Sequence, residues 1–184
     1  MKLVDKVKGR LPKPITWTVR PEILLHPNIP KPLHGVAPRV ILGGKWWDQT
    51  RKSAYQATAF HCAACGVWKH EAKVHRWLEG HELYDIDYLH GRSTYVGTVG
   101  LCHLCHNFIH SGRLEALLQK GQVTQAKYIL VLQHGSSVLA KAGIAFPPPY
   151  NGPFAEWGSW RLVLDGKEYP PIYKTFEQWK VAHA

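Results

Sequence analysis

The chain has 184 residues, 45% of them hydrophobic, and its formal net charge is +10 at pH 7. This length predicts one domain, or one domain with appended segments, with enough apolar residues for a core. No run approaches the ~18 consecutive apolar residues that a membrane helix needs, and the N-terminal stretch MKLVDKVKGRLPKP lacks the apolar region of a signal peptide. These features argue against a membrane-spanning protein and predict a cytoplasmic location.

The first segment, residues 1–14, is predicted to be a flexible basic tail. Its positive charge favours an anionic partner, most simply nucleic acid. The candidate phosphate contacts in the tail are Lys2, Lys6, Lys8, Arg10 and Lys13. The net charge alone does not exclude the alternative, a basic protein that binds no nucleic acid.

The second segment, residues 15–59, is predicted to be an arm that wraps around the core and ends in a helix. Five prolines and three glycines lie between residues 21 and 45, a composition that predicts extended chain rather than helix. The stretch WWDQTRKSAYQATA (46–59) contains neither residue type and is predicted to be helical.

The third segment, residues 60–121, contains all the cysteines of the chain. They form two C-x2-C pairs, Cys62 with Cys65 and Cys102 with Cys105. Two such pairs in a reducing compartment predict a structural zinc site with four thiolate ligands. Two disulfides are the alternative, which a cytoplasmic location disfavours.

Further metal-binding residue types lie between and after the two pairs. The stretch 73–101 is rich in aromatic residues and predicts two or three short strands, and a helix that breaks near Gly112 is predicted to follow Cys105. On that helix, His106 and His110 share one face because residues four apart lie one turn apart. Two imidazoles are too few for a catalytic cation, so a third ligand is expected from the strands, where His81 and Glu82 are adjacent.

The last segment, residues 122–184, is predicted to be a helical and hairpin extension. The stretch 123–143 predicts a long helix ending at Gly143. Asp165-Gly166 between apolar residues predicts a hairpin turn. Thr175 is the expected N-cap of a final short helix.

The order of these elements resembles the HNH, or ββα-metal, endonuclease family in the form that carries a four-cysteine zinc site. The resemblance covers roughly residues 60–112 and depends on the paired C-x2-C motifs and on the Cys105-His106 dipeptide. The flanking stretches NIPKPLHGVAPR and WRLVLDGKEYPP are similar to phage and prophage proteins of this kind. The expected fold is α+β, a zinc-stabilised ββα-metal core in 60–121 with the arm and extension around it.

The resemblance implies a metal-dependent hydrolase that cleaves DNA phosphodiester bonds, encoded by a phage and acting in the host cytoplasm. It implies a second divalent cation, Mg²⁺, Mn²⁺, Ni²⁺ or Zn²⁺, bound by His81, His106 and His110. A histidine at the end of the first strand acts as general base in this family. Two registers are open: either His81 is a ligand and Glu82 the base, or His81 is the base and Gly80 stands at the ligand position.

The catalytic set departs from the family pattern. The dipeptide at 81–82 is His-Glu, and the stretch VGTVG (96–100) has no asparagine where the family has one. These departures favour the first of two alternatives to a nuclease, and the long N- and C-terminal additions favour the second. One is a catalytically silent zinc module that binds nucleic acid, and the other is a module that binds a host or phage protein.

Overall fold

The computed structural model describes residues 17–183, so the basic tail (1–14) and its predicted phosphate contacts lie outside the described residues. Within 17–183 the fold is α+β, as the sequence predicts, with six α-helices and one four-stranded sheet. The α-helices and strands are, in chain order, α1 (Pro38–Ile41), α2 (Gly43–Ala57), β1 (Glu79–Asp87), β2 (Arg92–Leu101), α3 (His103–Ile109), α4 (Ser111–Gln119), α5 (Gln125–Lys141), β3 (Arg161–Leu164), β4 (Lys167–Tyr169) and α6 (Phe176–Ala182).

The sheet has the order β1-β2-β3-β4 and joins two distant parts of the chain. Strands β1 and β2 form an antiparallel hairpin, in which His81 is paired with Val99 and Glu82 with Thr98. The register shifts between Leu83 and Tyr84, which marks a β-bulge. Strand β3 pairs with β2 in parallel, so the C-terminal extension continues the sheet begun by the hairpin.

The arm before α2 contains short helical turns, and the prediction of extended chain was wrong there. Residues Pro21–Leu25 and Lys31–Leu33 form 3-10 helices, and Pro38–Ile41 forms α1. A proline lies at the first or second position of each turn. A helix tolerates proline there because the first N–H groups have no partner within the helix.

Helix α2 lies directly against the hairpin because two glycines leave room for it. Gly80 and Gly100 are paired across β1 and β2. A Cβ at Gly80 would lie 2.9 Å from the Trp47 ring, and one at Gly100 would lie 2.7 Å from the Tyr55 ring. These contacts fix the distance between α2 and the strand that carries His81.

Helices α3, α4 and α5 pack together on the other side of the hairpin's end. Helix α3 ends at Ile109 and α4 begins at Ser111, so the break lies at His110, two residues before the predicted Gly112. Helix α5 crosses α3 at Gly135, where the Phe108 ring occupies the space that a Cβ would take. The long helix predicted in 123–143 is confirmed, and it is two residues shorter at each end, Gln125–Lys141.

The C-terminal extension contains the predicted hairpin and final helix. Asp165 and Gly166 both have positive φ, 49° and 75°, as a two-residue hairpin turn requires. The Thr175 side chain accepts a hydrogen bond from the backbone N–H of Gln178 and caps α6. A second apolar cluster attaches this extension to the arm and the hairpin; its buried members are Leu33, Val36, Tyr84, Trp160 and Leu162.

None of the helices formed by residues 17–183 combines the length and the apolar character that crossing a membrane requires.

Candidate metal centres

The first candidate centre is the cysteine group, formed by Cys62, Cys65, Cys102 and Cys105. All four cysteines are free, and their sulfur atoms all lie within 4.8 Å of one another. The Sγ atoms of Cys65 and Cys102 are 3.8 Å apart. This group could bind a structural metal such as zinc, for which four thiolates around one cation are a common ligand set.

The first pair of the cysteine group lies in a tight loop. The Gly66 N–H donates to the Cys62 carbonyl, and the Cys62 N–H donates to the Val67 carbonyl, each at 2.9 Å. Gly66 has φ +78°, a backbone conformation that glycine adopts without strain. The Ala63 N–H donates to the Gly100 carbonyl at 2.9 Å, which holds this loop against the end of β2.

The second pair of the cysteine group begins α3. Cys102 is the N-cap residue of this helix, and Cys105 lies in its first turn. The cysteine group therefore fixes the start of the helix that carries His106. A hydrogen bond from Cys102 is the main cause that lowers the pKa of the Cys62 thiol, which favours the thiolate form that a metal ligand needs.

His134, on α5, contacts the cysteine group. Its Nε2 atom lies 3.3 Å from Cys105 Sγ and 4.0 Å from Cys102 Sγ. An Nε2–H group in this position donates to the sulfur atoms and stabilises their negative charge. The sequence does not single out His134, because this residue lies 29 residues after Cys105 with no spacing that relates the two.

The second candidate centre is the open histidine site, formed by His81, His106 and His110. One ring nitrogen of each lies within 4.8 Å of the others. His81 projects from β1, and His106 and His110 lie one helical turn apart at the end of α3. The structure thus brings together the three residues that the sequence proposed as one ligand set.

The open histidine site lines a cavity of about 380 Å³. Its wall also includes Arg39, from α1, and Arg113, from α4. Burial is the main cause that lowers the pKa of His81 to about 2 and that of His110 to about 4. Both imidazoles are therefore neutral near pH 7 and have the free lone pair that a metal ligand needs.

Glu79, at the start of β1, orients His106. Its Oε1 atom accepts a hydrogen bond from His103 Nδ1 at 2.7 Å, and its Oε2 atom accepts one from His106 Nδ1 at 2.5 Å. Burial opposes ionisation of Glu79, but the hydrogen bonds from both histidines outweigh it and hold the pKa of the carboxyl well below its usual range. Since the Nδ1 atom of His106 carries the proton, its Nε2 atom is available to a cation.

Glu82 lies in the cavity wall but is held by other residues. Its Oε2 atom is 2.7 Å from Arg39 Nη1 and accepts a hydrogen bond from the Tyr84 hydroxyl at 3.2 Å. The Glu82 side chain is only 3% exposed, whereas that of Arg39 is 49% exposed. The ion pair therefore holds the Arg39 guanidinium at the mouth of the cavity.

His26, from the arm, also contributes to the cavity. His26 Nε2 lies 2.8 Å from the Tyr84 backbone nitrogen and 3.2 Å from the Tyr84 carbonyl oxygen, so the tautomer of the ring decides whether Nε2 accepts from the first or donates to the second. The Nδ1 atom of His26 faces the cavity. That Nδ1 atom lies 3.3 Å from His81 Nε2. No local spacing in the sequence relates His26 to His81, 55 residues later, so the sequence did not single it out.

Comparison of the chain with protein-family models, with curated proteins and with solved structures found no match.

Proposed function

We propose that this protein is a metal-dependent endonuclease of the HNH type, phage-encoded, that hydrolyses DNA phosphodiester bonds. One observation carries the proposal: His81, His106 and His110 face one another in an open cavity with two arginines in its wall. The succession of β1, β2 and α3 around these histidines supports an HNH-like ββα core.

The three imidazoles fit a catalytic cation because they leave coordination positions open toward the cavity. Imidazole ligands suit Zn²⁺, Ni²⁺ or Co²⁺, and carboxylates nearby also allow Mg²⁺ or Mn²⁺. A divalent cation held there would stabilise the charge that develops on the phosphate and would lower the pKa of the attacking water.

The protein side chains bind the phosphate, orient a metal ligand and accept a proton. Arg39 and Arg113 bind non-bridging phosphate oxygens, for which the planar guanidinium group is well shaped. Glu79 holds the His106 ring in place. Water attacks phosphorus, and the P–O bond to the leaving strand breaks with its electron pair on the leaving oxygen. The water proton passes to Glu82 if His81 binds the cation, or to His81 if that ring does not, because a ligating nitrogen has no lone pair for a proton. The contacts of Glu82 with Arg39 and Tyr84 favour a role as the anchor of Arg39.

A catalytically silent zinc module that binds nucleic acid or a host protein is the second candidate. The ion pair between Glu82 and Arg39 favours it, because a carboxylate held in this way is a poor base. The absence of an asparagine from residues 96–100 favours it as well.

The test is a plasmid-nicking assay with Mg²⁺, Mn²⁺, Ni²⁺ or Zn²⁺ added in turn to the full chain and to His106→Ala. The matched control is His90→Ala, since His90 is exposed in the turn between β1 and β2. We expect the wild type and the control to nick DNA, and His106→Ala to be inactive.

If no cation supports cleavage, the nuclease proposal fails, and DNA binding separates the silent alternatives. A protein that contacts phosphates loses affinity steeply as salt rises, because binding releases counterions. Deleting residues 1–14 should weaken that binding if the basic tail takes part. No binding to DNA or RNA at low salt would favour a protein partner.

A further inference from the structure

We propose that His75, Glu79 and His103 form a separate binding site for a divalent cation, here called the Glu79 site. One potential ligand atom of each residue lies within 4.8 Å of the other two. The Glu79 site shares none of its ligands with the cysteine group or the open histidine site. It does not depend on whether the protein cleaves DNA.

The side chains of the Glu79 site come from three adjoining elements. Glu79 begins β1 and His103 begins α3, and the Glu79 Oε1 atom lies 2.7 Å from His103 Nδ1. The rings of His75 and His103 meet edge to face, with centroids 4.3 Å apart. His75 belongs to the loop that precedes β1, so the three residues surround the point where this loop meets the first turn of α3.

The loop is shaped so that His75 faces the other two residues. The His75 ring stacks on Trp77, with centroids 4.2 Å apart and an angle of 11° between the planes. Val74 has φ +74°, an unfavourable conformation for a β-branched residue. Such strain persists only where the surrounding structure holds it in place, and it is commonest at ligand sites.

The chemistry of the set suits a cation better than a hydrogen-bond network alone. Within residues 17–183, the His75 ring has no hydrogen-bond partner, although it lies beside the hydrogen-bonded pair of His103 and Glu79. Two imidazoles and one carboxylate form a familiar Zn²⁺ ligand set that leaves a fourth position open. A cation that replaces the proton between His103 Nδ1 and Glu79 Oε1 would bind both atoms, with the His103 proton moved to Nε2, and the His75 ring would supply a further lone pair.

Glu79 would connect the Glu79 site to the open histidine site. Its Oε1 atom faces His103, while its Oε2 atom accepts the hydrogen bond from His106 Nδ1. The carboxylate can therefore bind one cation directly and orient a ligand of another. Replacing Glu79 should disturb both sites, whereas replacing His75 should disturb only one.

The experiment counts zinc ions in the full chain after equilibration with Zn²⁺ and desalting, and locates them by anomalous diffraction at the zinc edge. We expect three ions per wild-type chain, one of them between His75, Glu79 and His103. His75→Ala should retain two and lose only that peak. His110→Ala should also retain two, but lose the peak at the open histidine site.

His70→Ala is the matched control, because His70 is exposed five residues before His75 and belongs to none of the three groups. It should retain all three ions. A wild-type map without density at the Glu79 site, or a zinc count that His75→Ala leaves unchanged, would overturn the proposal. Zinc at the Glu79 site in a protein that does not cleave DNA would support it while the nuclease proposal fails.

Discussion

The cysteine group and the open histidine site share helix α3 but differ in their surroundings. Cys62, Cys102 and Cys105 are almost fully buried. They belong to the larger apolar cluster of the fold, in which Leu101 and Leu104 are also buried. His81, His106 and His110 instead line an open cavity whose wall includes both charged and apolar side chains. Four enclosed ligands saturate a cation and stabilise a fold, whereas three ligands facing a cavity leave positions for a substrate.

The two regions also differ in charge. Bound thiolates bring negative charge to the cation, and His134 is their nearby hydrogen-bond donor. His81 and His110 remain neutral near pH 7, and the charges in the cavity wall include Arg39 and Arg113. A cation at the open histidine site therefore keeps its positive charge, which attracts an anion such as phosphate.

The largest expected effect is that of Cys62→Ser on folding. Binding of a structural zinc ion supplies ~10–16 kcal/mol in small zinc modules, and the cysteine group joins the first loop to α3. We expect insoluble or largely unfolded protein, measured by soluble yield and circular dichroism. Cys62→Ser protein with a wild-type melting curve would show that the cysteine group is not what holds the fold together.

His106→Ala and His110→Ala should show most clearly that the open histidine site serves cleavage and the cysteine group serves folding. Each variant should lose cleavage to the limit of detection, because two ligands cannot hold a catalytic cation. Each should retain the zinc ion of the cysteine group and a nearly unchanged circular dichroism spectrum. Loss of folding in both variants would mean that the open histidine site is structural too.

Glu82→Gln tests which residue takes the proton from water. Loss of a general base lowers the rate by ~10²–10⁴-fold. We expect a smaller drop in kcat and a higher KM, because Glu82 is bound to Arg39 and its loss frees that guanidinium. A drop in kcat within the range for a lost base, at unchanged KM, would instead assign the base to Glu82.

Glu79→Gln should weaken cation binding at the open histidine site. Removing a carboxylate that orients a histidine ligand usually costs ~10–100-fold in metal affinity. Isothermal titration with Zn²⁺ measures the change when the parent chain and Glu79→Gln both carry His75→Ala, which leaves the Glu79 site empty, and the cysteine group is already filled. Affinity within twofold of the parent chain would show that the hydrogen bond to His106 does not orient the ligand.

The smallest expected effect is a difference in acid stability between wild type and His110→Asn. The pKa of His110 is about 4 in the folded protein, against ~6.5 when unfolded. Only the unfolded state takes up this proton between those values, so lowering the pH from 6.5 toward 4 destabilises the wild type, by at most ~1.4 kcal/mol per pH unit. Metal-free His110→Asn should show a shallower fall in melting temperature; parallel curves would contradict this.

Local spacing in the sequence predicted which candidate ligands lie together. The neighbours that it did not predict depend on contacts between distant residues. Each C-x2-C pair lies within one turn of the chain, and His106 and His110 lie one helical turn apart. Such short spacings are visible in the sequence itself. His26 and His134 reach the two centres only through packing of the arm and of α5. The partners of Glu79 and Glu82 likewise depend on the folded chain, because no pattern relates Glu82 to Arg39.

The helical turns of the arm show a different kind of limit. Proline argues against the interior of a helix but is favourable in its first turn. In a stretch with several prolines, composition alone does not show which of them begins a turn. The structure places α1 at Pro38, and this short helix positions Arg39 for its ion pair with Glu82.

The paired glycines Gly80 and Gly100 make the hairpin intolerant of change at positions that bind nothing. Any side chain at either position would push α2 away from the strands, because Trp47 and Tyr55 already occupy that space. Trp47 is also part of the cavity wall, so a shift of α2 would move this ring and widen the cavity. A random mutagenesis screen for lost activity should therefore recover substitutions at Gly80 and Gly100 alongside those at the histidines.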